Sequence, residues 1–423
     1  MLFWLGCAAF ALTILISVSL HELGHMITGK RFGMKVTKYF VGFGPTIFSF
    51  HRGETEYGLK LIPLGGFCKI VGMTPQDDDV APEDQHRAMW RFPVWKRTVV
   101  MAAGSITHFM LALIGAWAMA WAIGLPNMDL PRTGAEERAA PAQIRVADCL
   151  RTSLSDPTAT TATDCKVGVG SAAAGPASAA GLKTGDVITK VGATPVANYG
   201  QLTDAIRAAT PGPTVFEYTR AGQPAQATVN LIPAERRPID DPSGPISTVA
   251  VAGISWTTDL PAVVHYNALS AIPASGEYNW FLVENSMRAM ARIPEKIPAL
   301  WNSITGDERD PDTPISVIGA SRIGGEALEK GVPEVFWGVF ISLNVFIGLF
   351  NLLPLLPVDG GHIAIAWFEA LRSRLYRVLR RPDPGRVDYY KLMPLTYAVI
   401  LIGGAFTLLT ATADIINPIT IFP

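Results

Sequence analysis

The chain has 423 residues, 17% of them charged and 49% hydrophobic, with a formal net charge of −1. Soluble domains carry roughly 25% charged residues, so a chain this poor in charge, with a positive mean hydropathy, fits a protein partly immersed in lipid. A net charge near zero supplies no general basic field and argues against a nucleic-acid partner.

Four apolar stretches, Leu2 to Thr28, Val94 to Ile123, Val332 to Leu353 and Met393 to Thr412, each approach the roughly 20 residues that a bilayer requires. The first has no basic n-region and no small-residue cleavage site before its histidines, so it is expected to be a retained transmembrane helix rather than a signal peptide. Lys30 to Arg97 holds eleven basic residues and Arg372 to Lys391 seven, which makes these segments cytoplasmic by the positive-inside rule. Both termini and the long segment from Leu125 to Gly331 then face outward. Cys149 and Cys165 fall in that outer segment, where a disulfide could form, whereas Cys7 and Cys68 lie where thiols stay reduced.

The first stretch ends in Ser19-Leu20-His21-Glu22-Leu23-Gly24-His25, an H-E-x-x-H pattern. On a helix, positions four apart differ by about 40° and roughly 6 Å, so His21 and His25 can face one ion. In such an arrangement the histidines hold Zn²⁺ and the Glu22 carboxylate serves as general base toward water. Ionisable groups in an apolar span cost about 2.5 kcal/mol or more each, which favours a functional reading over a polar cluster meeting headgroups. Eight helical residues separate Glu22 from Lys30, placing the site about 12 Å inside the cytoplasmic boundary.

Val36 to Gly72 is rich in β-branched, aromatic and Gly residues, with a turn cluster at His51-Arg52-Gly53. A β-hairpin or small sheet is expected, either dipping back toward the site or packing on its own core in the cytoplasm. Asp77 to Asp84 is an acidic loop, and Trp90 to Arg97 mixes aromatic and basic residues as an interfacial anchor does. In the second span, the small residues of Ala103-Gly104-Ser105 allow close helix approach. His108 in the same span either orients the site, binds substrate or is a packing histidine, and is not taken as a metal ligand.

Composition shifts at Pro126. Ser178 to Gly192, which includes Ala180-Gly181-Leu182-Lys183-Thr184-Gly185-Asp186-Val187-Ile188, reads as a short helix, a turn and a strand. A helix at Gln201 to Ala209 and strands at Val215 to Tyr218 and Ala227 to Leu231 follow. The pattern resembles a PDZ domain, which binds extended peptides at a sheet edge, with Gly168-Val169-Gly170 as a candidate carboxylate nest. Phe281 to Trp301 is expected to form an amphipathic helix on the outer surface.

The third span runs into Asn351-Leu352-Leu353-Pro354-Leu355-Leu356-Pro357-Val358-Asp359-Gly360-Gly361, where two prolines must break the helix. A lone aspartate here is costly unless ligated, and two histidines on zinc lack a third protein ligand and a counter-charge. Asp359 meets both needs, completing a His21, His25, Asp359 set with one position open.

These motifs together resemble the site-2 protease family of intramembrane zinc metalloproteases, in the bacterial branch like the regulator-of-sigma-E protease. The resemblance rests on H-E-x-x-H at His21 to His25, G-F-G at Gly42 to Gly44, P-L-G-G at Pro63 to Gly66, the PDZ-like segment and N-x-x-P-x-x-x-x-D-G at Asn351 to Gly360. It implies one catalytic Zn²⁺, water activation by Glu22, and a role for Asn351 in holding substrate or its oxyanion. It also implies a substrate strand held along the sheet, where Gly42, Phe43, Gly44, Gly65 and Gly66 are the expected contacts.

Implied substrates are single-pass membrane proteins such as anti-sigma factors already trimmed outside the cell, with the PDZ-like unit sensing or filtering the trimmed ectodomain. The implied location is a bacterial inner membrane, with the site toward the cytoplasm. Two departures stand out: the family often carries G-P-x-x-N in the second span, where this chain has Gly104-Ser105-Ile106-Thr107-His108, and only one PDZ-like unit is evident.

The expected fold is a polytopic α-helical membrane protein with four transmembrane helices, a membrane-associated β-hairpin or sheet and an extracytoplasmic PDZ-like α/β domain. Its expected parts are 1–29 (first helix), 30–93 (β region and loop), 94–124 (second helix), 125–141 (linker), 142–233 (PDZ-like) and 234–331 (outer linker). A third helix at 332–371, a basic connection at 372–392, a fourth helix at 393–416 and a tail at 417–423 complete it. A membrane-anchored zinc peptidase acting on soluble or signal-peptide remnants, or a non-enzymatic PDZ scaffold, are the alternative functions.

Overall fold

Thirty consecutive residues, Leu2–Arg31, form one helix, α1, in the computed structural model. No proline interrupts it, no charged residue precedes Glu22, and Lys30 and Arg31 sit in the last turn, where cations complement the helix dipole. The structure describes residues 1–73, 80–154, 167, 171–238, 244–307 and 309–420. Two compact units emerge, Met1–Leu125 with Val263–Pro423, and Pro126–Ala262.

In the first unit α1 leads into β1 (Val36–Arg52) and β2 (Thr55–Ile70), joined by a turn at Gly53. The sheet is more than the expected hairpin. Tyr39 lies opposite both Cys68 and Tyr57, and Phe40 opposite both Phe67 and Gly58, while Phe50 and Arg52 pair with Tyr57 and Thr55. Each long strand therefore bends and serves as two ribbons, in the order 62–70, 36–43, 55–60, 46–52. The bends use backbone with positive φ at Gly42 (+87°) and Gly65 (+124°), conformations that glycine adopts at little steric cost. Tyr39 Oη donates to the Ser19 carbonyl at 2.8 Å, so the sheet lies on the H-E-x-x-H end of α1. Phe48 and Leu61 are each 60% exposed, apolar faces that suit lipid better than water. After a short connection α2 (Val94–Ala122) forms. Of the Asp77 to Asp84 loop, residues 77–79 lie outside the described residues.

The second unit holds α3 (Gly134–Ala139), α4 (Pro176–Ala179) and α5 (Tyr199–Ala208). An antiparallel sheet runs in the spatial order 247–251, 223–236, 212–220, 187–191, 194–195. Ile144, Leu202, Phe216 and Val229 fill its core. The short helix, turn, strand and second helix expected from Ser178 to Ala209 all form. Cys149 is disulfide-bonded; Cys165 and the Gly168 to Gly170 candidate nest lie outside the described residues.

Buried Asp186 accepts two bonds from Arg220 (2.7 Å each) and one from the Lys183 backbone N–H (2.8 Å). Burial alone would push this carboxyl up, but these donors outweigh it and hold it below the usual carboxylate value. A depressed folded value stabilises above the unfolded value and loses that contribution as pH falls through the folded one. Asp186→Asn is accordingly expected to speed hydrogen exchange at residues 187–191 several-fold at pH 7, and the difference from the parent chain should shrink as the carboxyl protonates in acid.

The first unit resumes with α6 (Ala271–Thr305), α7 (Val317–Lys330), α8 (Pro333–Asn351), α9 (Asp359–Val378) and α10 (Met393–Ile416). Helix α6 starts ten residues before the expected amphipathic stretch. Asn267 Oδ1 accepts from the Leu269 and Ser270 backbone N–H groups ahead of it, and Pro273 falls in the first turn, where a missing N–H does no harm.

Helix α7 was not expected. It begins at a Ser316 cap, whose Oγ accepts from Ile318 N at 3.1 Å, ends at Gly331 with φ +71°, and packs its Gly324 and Gly325 on Phe10, Cys7 and Phe3 of α1. The expected third helix at 332–371 is two helices separated by the proline-containing loop 352–358, which includes a cis Leu356–Pro357 bond, and α9 continues past 371 to Val378. Near its C-terminus α10 is tied down by a buried ion pair, Arg309 to Asp414 at 3.0 Å, and Asp414 also accepts from Ser316 N at 2.6 Å. Among the described residues four helices are long and apolar enough to cross a membrane: Leu2–Arg31, Val94–Ala122, Pro333–Asn351 and Tyr389–Ile416. They coincide with the four apolar stretches of the sequence.

Candidate metal centre

Three donors from opposite ends of the chain meet. His21 and His25 project from α1 on one face, one turn apart, and Asp359 opens α9 directly after the broken segment. His21 Nε2 and His25 Nε2 are 3.1 Å apart, and each lies 3.3 Å from Asp359 Oδ2. A tetrahedral zinc site with bonds of about 2.0–2.1 Å puts neighbouring donors about 3.3–3.4 Å apart, so the three atoms already sit near the corners of such a site.

The protonation pattern points the same way. His25 Nδ1 donates to the Val100 carbonyl of α2 at 2.7 Å, which in a neutral ring leaves Nε2 with its lone pair directed at His21 and Asp359. Asp359 Oδ2 is buried without a hydrogen-bond partner. Lone pairs and a carboxylate converging in a buried space repel unless a cation lies among them. Among the described residues this is the cluster whose donor atoms could hold a metal ion, all within 4.8 Å of one another.

The chain shapes the surroundings closely. Gly104 of α2 forms the floor under His21, where a Cβ would fall within 2.6 Å of both ring nitrogens. Gly24 lets α1 and α2 approach, since a Cβ there would come within 2.7 Å of the Ala103 carbonyl and Thr107 Oγ1. Glu22, between the histidines in sequence, lies against β2, its Cγ 3.4 Å from where a Gly66 Cβ would be. The carboxylate is thus held between the donors and the 62–70 ribbon.

Of the other expected residues, Gly65 and Gly66 lie on that ribbon beside Glu22. Gly42, Phe43 and Gly44 lie at the bend of β1, with Val41 paired to Gly66 and Phe43 to Ile62. Asn351 is the last residue of α8, half-buried, and makes no side-chain hydrogen bond among the described residues.

His108 is 1% exposed and stands outside the donor set. Its Nδ1 lies 2.9 Å from Asn344 Oδ1 and 3.2 Å from Ser17 Oγ, and Ser17 Oγ also donates to Asn344 Oδ1. Sequence reasoning missed Ser17, Asn344 and the role of Gly104. Asn344 had a signal, since it lies seven residues before Asn351 and is likewise an amide in an apolar span.

Residues 9–379 match the model of peptidase family M50. The chain is 42% identical to the zinc metalloprotease Rip1 of Mycolicibacterium smegmatis and 40% identical to the protein of the same name from Mycobacterium tuberculosis H37Rv, in both cases over 100% of each chain. It is 26% identical to the regulator of sigma-E protease RseP of Escherichia coli K12, over 86% of this chain and 91% of that one.

Proposed function

Because the chain belongs to peptidase family M50, the site-2 protease family, and is a zinc metalloprotease, we propose that it cuts peptide bonds within or beside the transmembrane segments of single-pass membrane proteins. The observation that carries this reading is the convergence of His21, His25 and Asp359 on helices long and apolar enough to lie in a bilayer, with Glu22 beside them. In this reading these three residues hold the zinc. When bound, zinc supplies Lewis acidity that polarises the scissile carbonyl and acidifies the attacking water.

The chain's own groups do the rest. Glu22 takes the proton from water as its oxygen bonds to the scissile carbonyl carbon, and returns it to the leaving amine as the C–N bond breaks. Asn351, with a free amide, faces substrate or the developing oxyanion. Helical substrate hides its amides in i to i−4 bonds, so it must unwind; the 62–70 ribbon, with its outer edge toward Glu22, supports pairing of the unwound segment as an added strand.

Phe43→Pro and Leu64→Pro, singly and together, are expected to lower cleavage about tenfold or more with zinc content unchanged; unaltered rates in the double variant would remove strand pairing from the mechanism. The second unit, read as PDZ-like, is assigned to sensing or filtering the trimmed ectodomain. Trimmed anti-sigma factors are the substrate class in this reading, and release of a cytosolic fragment is its signalling output. The basic segments set the orientation: termini and second unit outside, site toward the cytoplasm.

The test is incubation of the purified chain, in lipid vesicles, with a single-span model substrate and with a soluble peptide of the same sequence. Cleavage confined to the membrane-inserted form supports the proposal, and equal cleavage of both supports the soluble-substrate alternative.

A further inference from the structure

The two histidines of the metal centre are supported unequally. His25 has a partner for its second ring nitrogen, the Val100 carbonyl, whereas His21 Nδ1 is buried with no hydrogen-bond partner. A histidine that ligates a metal through Nε2 carries its hydrogen on Nδ1, and that N–H nearly always has an acceptor that sets ring direction and tautomer. Beside it, outside the donor set, lies the ring of His108, whose centroid is 5.0 Å from that of His21 at a tilt of 45°.

The tautomer of His108 follows from its neighbours. Asn344 Nδ2 donates to the Phe340 carbonyl at 2.9 Å, so it is Oδ1 that faces inward, where it accepts from Ser17 Oγ. The short contact from His108 Nδ1 to the same oxygen, 2.9 Å, is then a hydrogen bond only if Nδ1 carries the hydrogen. A neutral His108 so held has its lone pair on Nε2. An orphan donor on one ring and an available acceptor on the adjacent ring are complementary.

We propose that His108 is a positioning residue for His21: locked as the Nδ1–H tautomer by Asn344, it accepts the Nδ1 hydrogen of His21 and aims His21 Nε2 at the metal. The same contacts bind together α1, α2 and α8, the helices that carry the histidine pair, the Gly104 floor and the approach to Asp359. The proposal rests on the reading of His21, His25 and Asp359 as zinc ligands.

Its test is zinc affinity, measured by chelator competition on the full chain in detergent, together with the visible spectrum of the Co²⁺-loaded protein and the unfolding temperature of the metal-free form. His108→Asn preserves a polar partner for Asn344 but is too short to reach His21. It is expected to lower zinc affinity about 10–100-fold and to alter the Co²⁺ bands, while the metal-free unfolding temperature stays near that of the parent. His108→Gln, whose longer amide presents an acceptor farther out, is expected to recover much of the loss. Parental affinity and spectrum in both variants would overturn the proposal, as would a loss in both that tracks a fall in metal-free stability. Zinc retained at full affinity in His25→Ala would instead overturn the ligand reading itself.

Discussion

Glu22→Gln is expected to keep its zinc and to lose cleavage of a membrane-inserted substrate by about 10²–10⁴-fold, the range typical for removal of a general base. The amide is nearly isosteric and fits the same space beside Gly66, so fold and metal site should survive. What it cannot do is accept the proton of water. The measurement is a single-turnover cleavage assay beside metal analysis. Cleavage at the parental rate with zinc in place would remove Glu22 from the chemistry and leave the donor cluster without a base.

Gly104→Val should be nearly as damaging, for a reason no motif reveals. The Cβ alone would intrude on the His21 ring, and the branched side chain adds atoms that the closely packed α1–α2 contact cannot absorb. His21 must then swing off the donor cluster. The expected result is a fall in bound zinc to well below one equivalent and a loss of cleavage of at least 10²-fold, with the helical circular dichroism of the parent retained. Gly115→Val on the same helix is a useful contrast, since a Cβ there meets the Ile341 side chain at 3.2 Å and the Phe340 ring at 4.0 Å, and zinc content should stay at the parental level.

Much of this molecule was legible before any coordinates. Hydropathy located the four membrane-length helices because burial in lipid demands uninterrupted apolar length. The chemistry of H-E-x-x-H and of a lone aspartate beyond two prolines joined residues at opposite ends of the chain, and their donor atoms do meet.

What escaped notice has physical reasons. The double pairing of β1 left no trace in the sequence, because a sheet with apolar residues on both faces loses the alternation that reveals register. Helix α7 carries paired glycines that lower helix propensity, yet they let it pack on α1. Gly104 looks like a generic small residue for helix packing, and only the fold shows that what packs there is the ring of His21. Ser17, His108 and Asn344 come from three separate spans, and nothing in the primary structure indicated that they share one buried space.

The position of the donors along the chain bears on biosynthesis. His21 and His25 lie on α1, but Asp359 follows the whole second unit and α6 to α8, so it is synthesised long after them. A chain that ends before α9 therefore has His21, Glu22 and His25 but lacks Asp359. Such a fragment should be inert. In the reading of these residues as the zinc site, cleavage begins only once α9 has been made and has brought Asp359 to the two histidines.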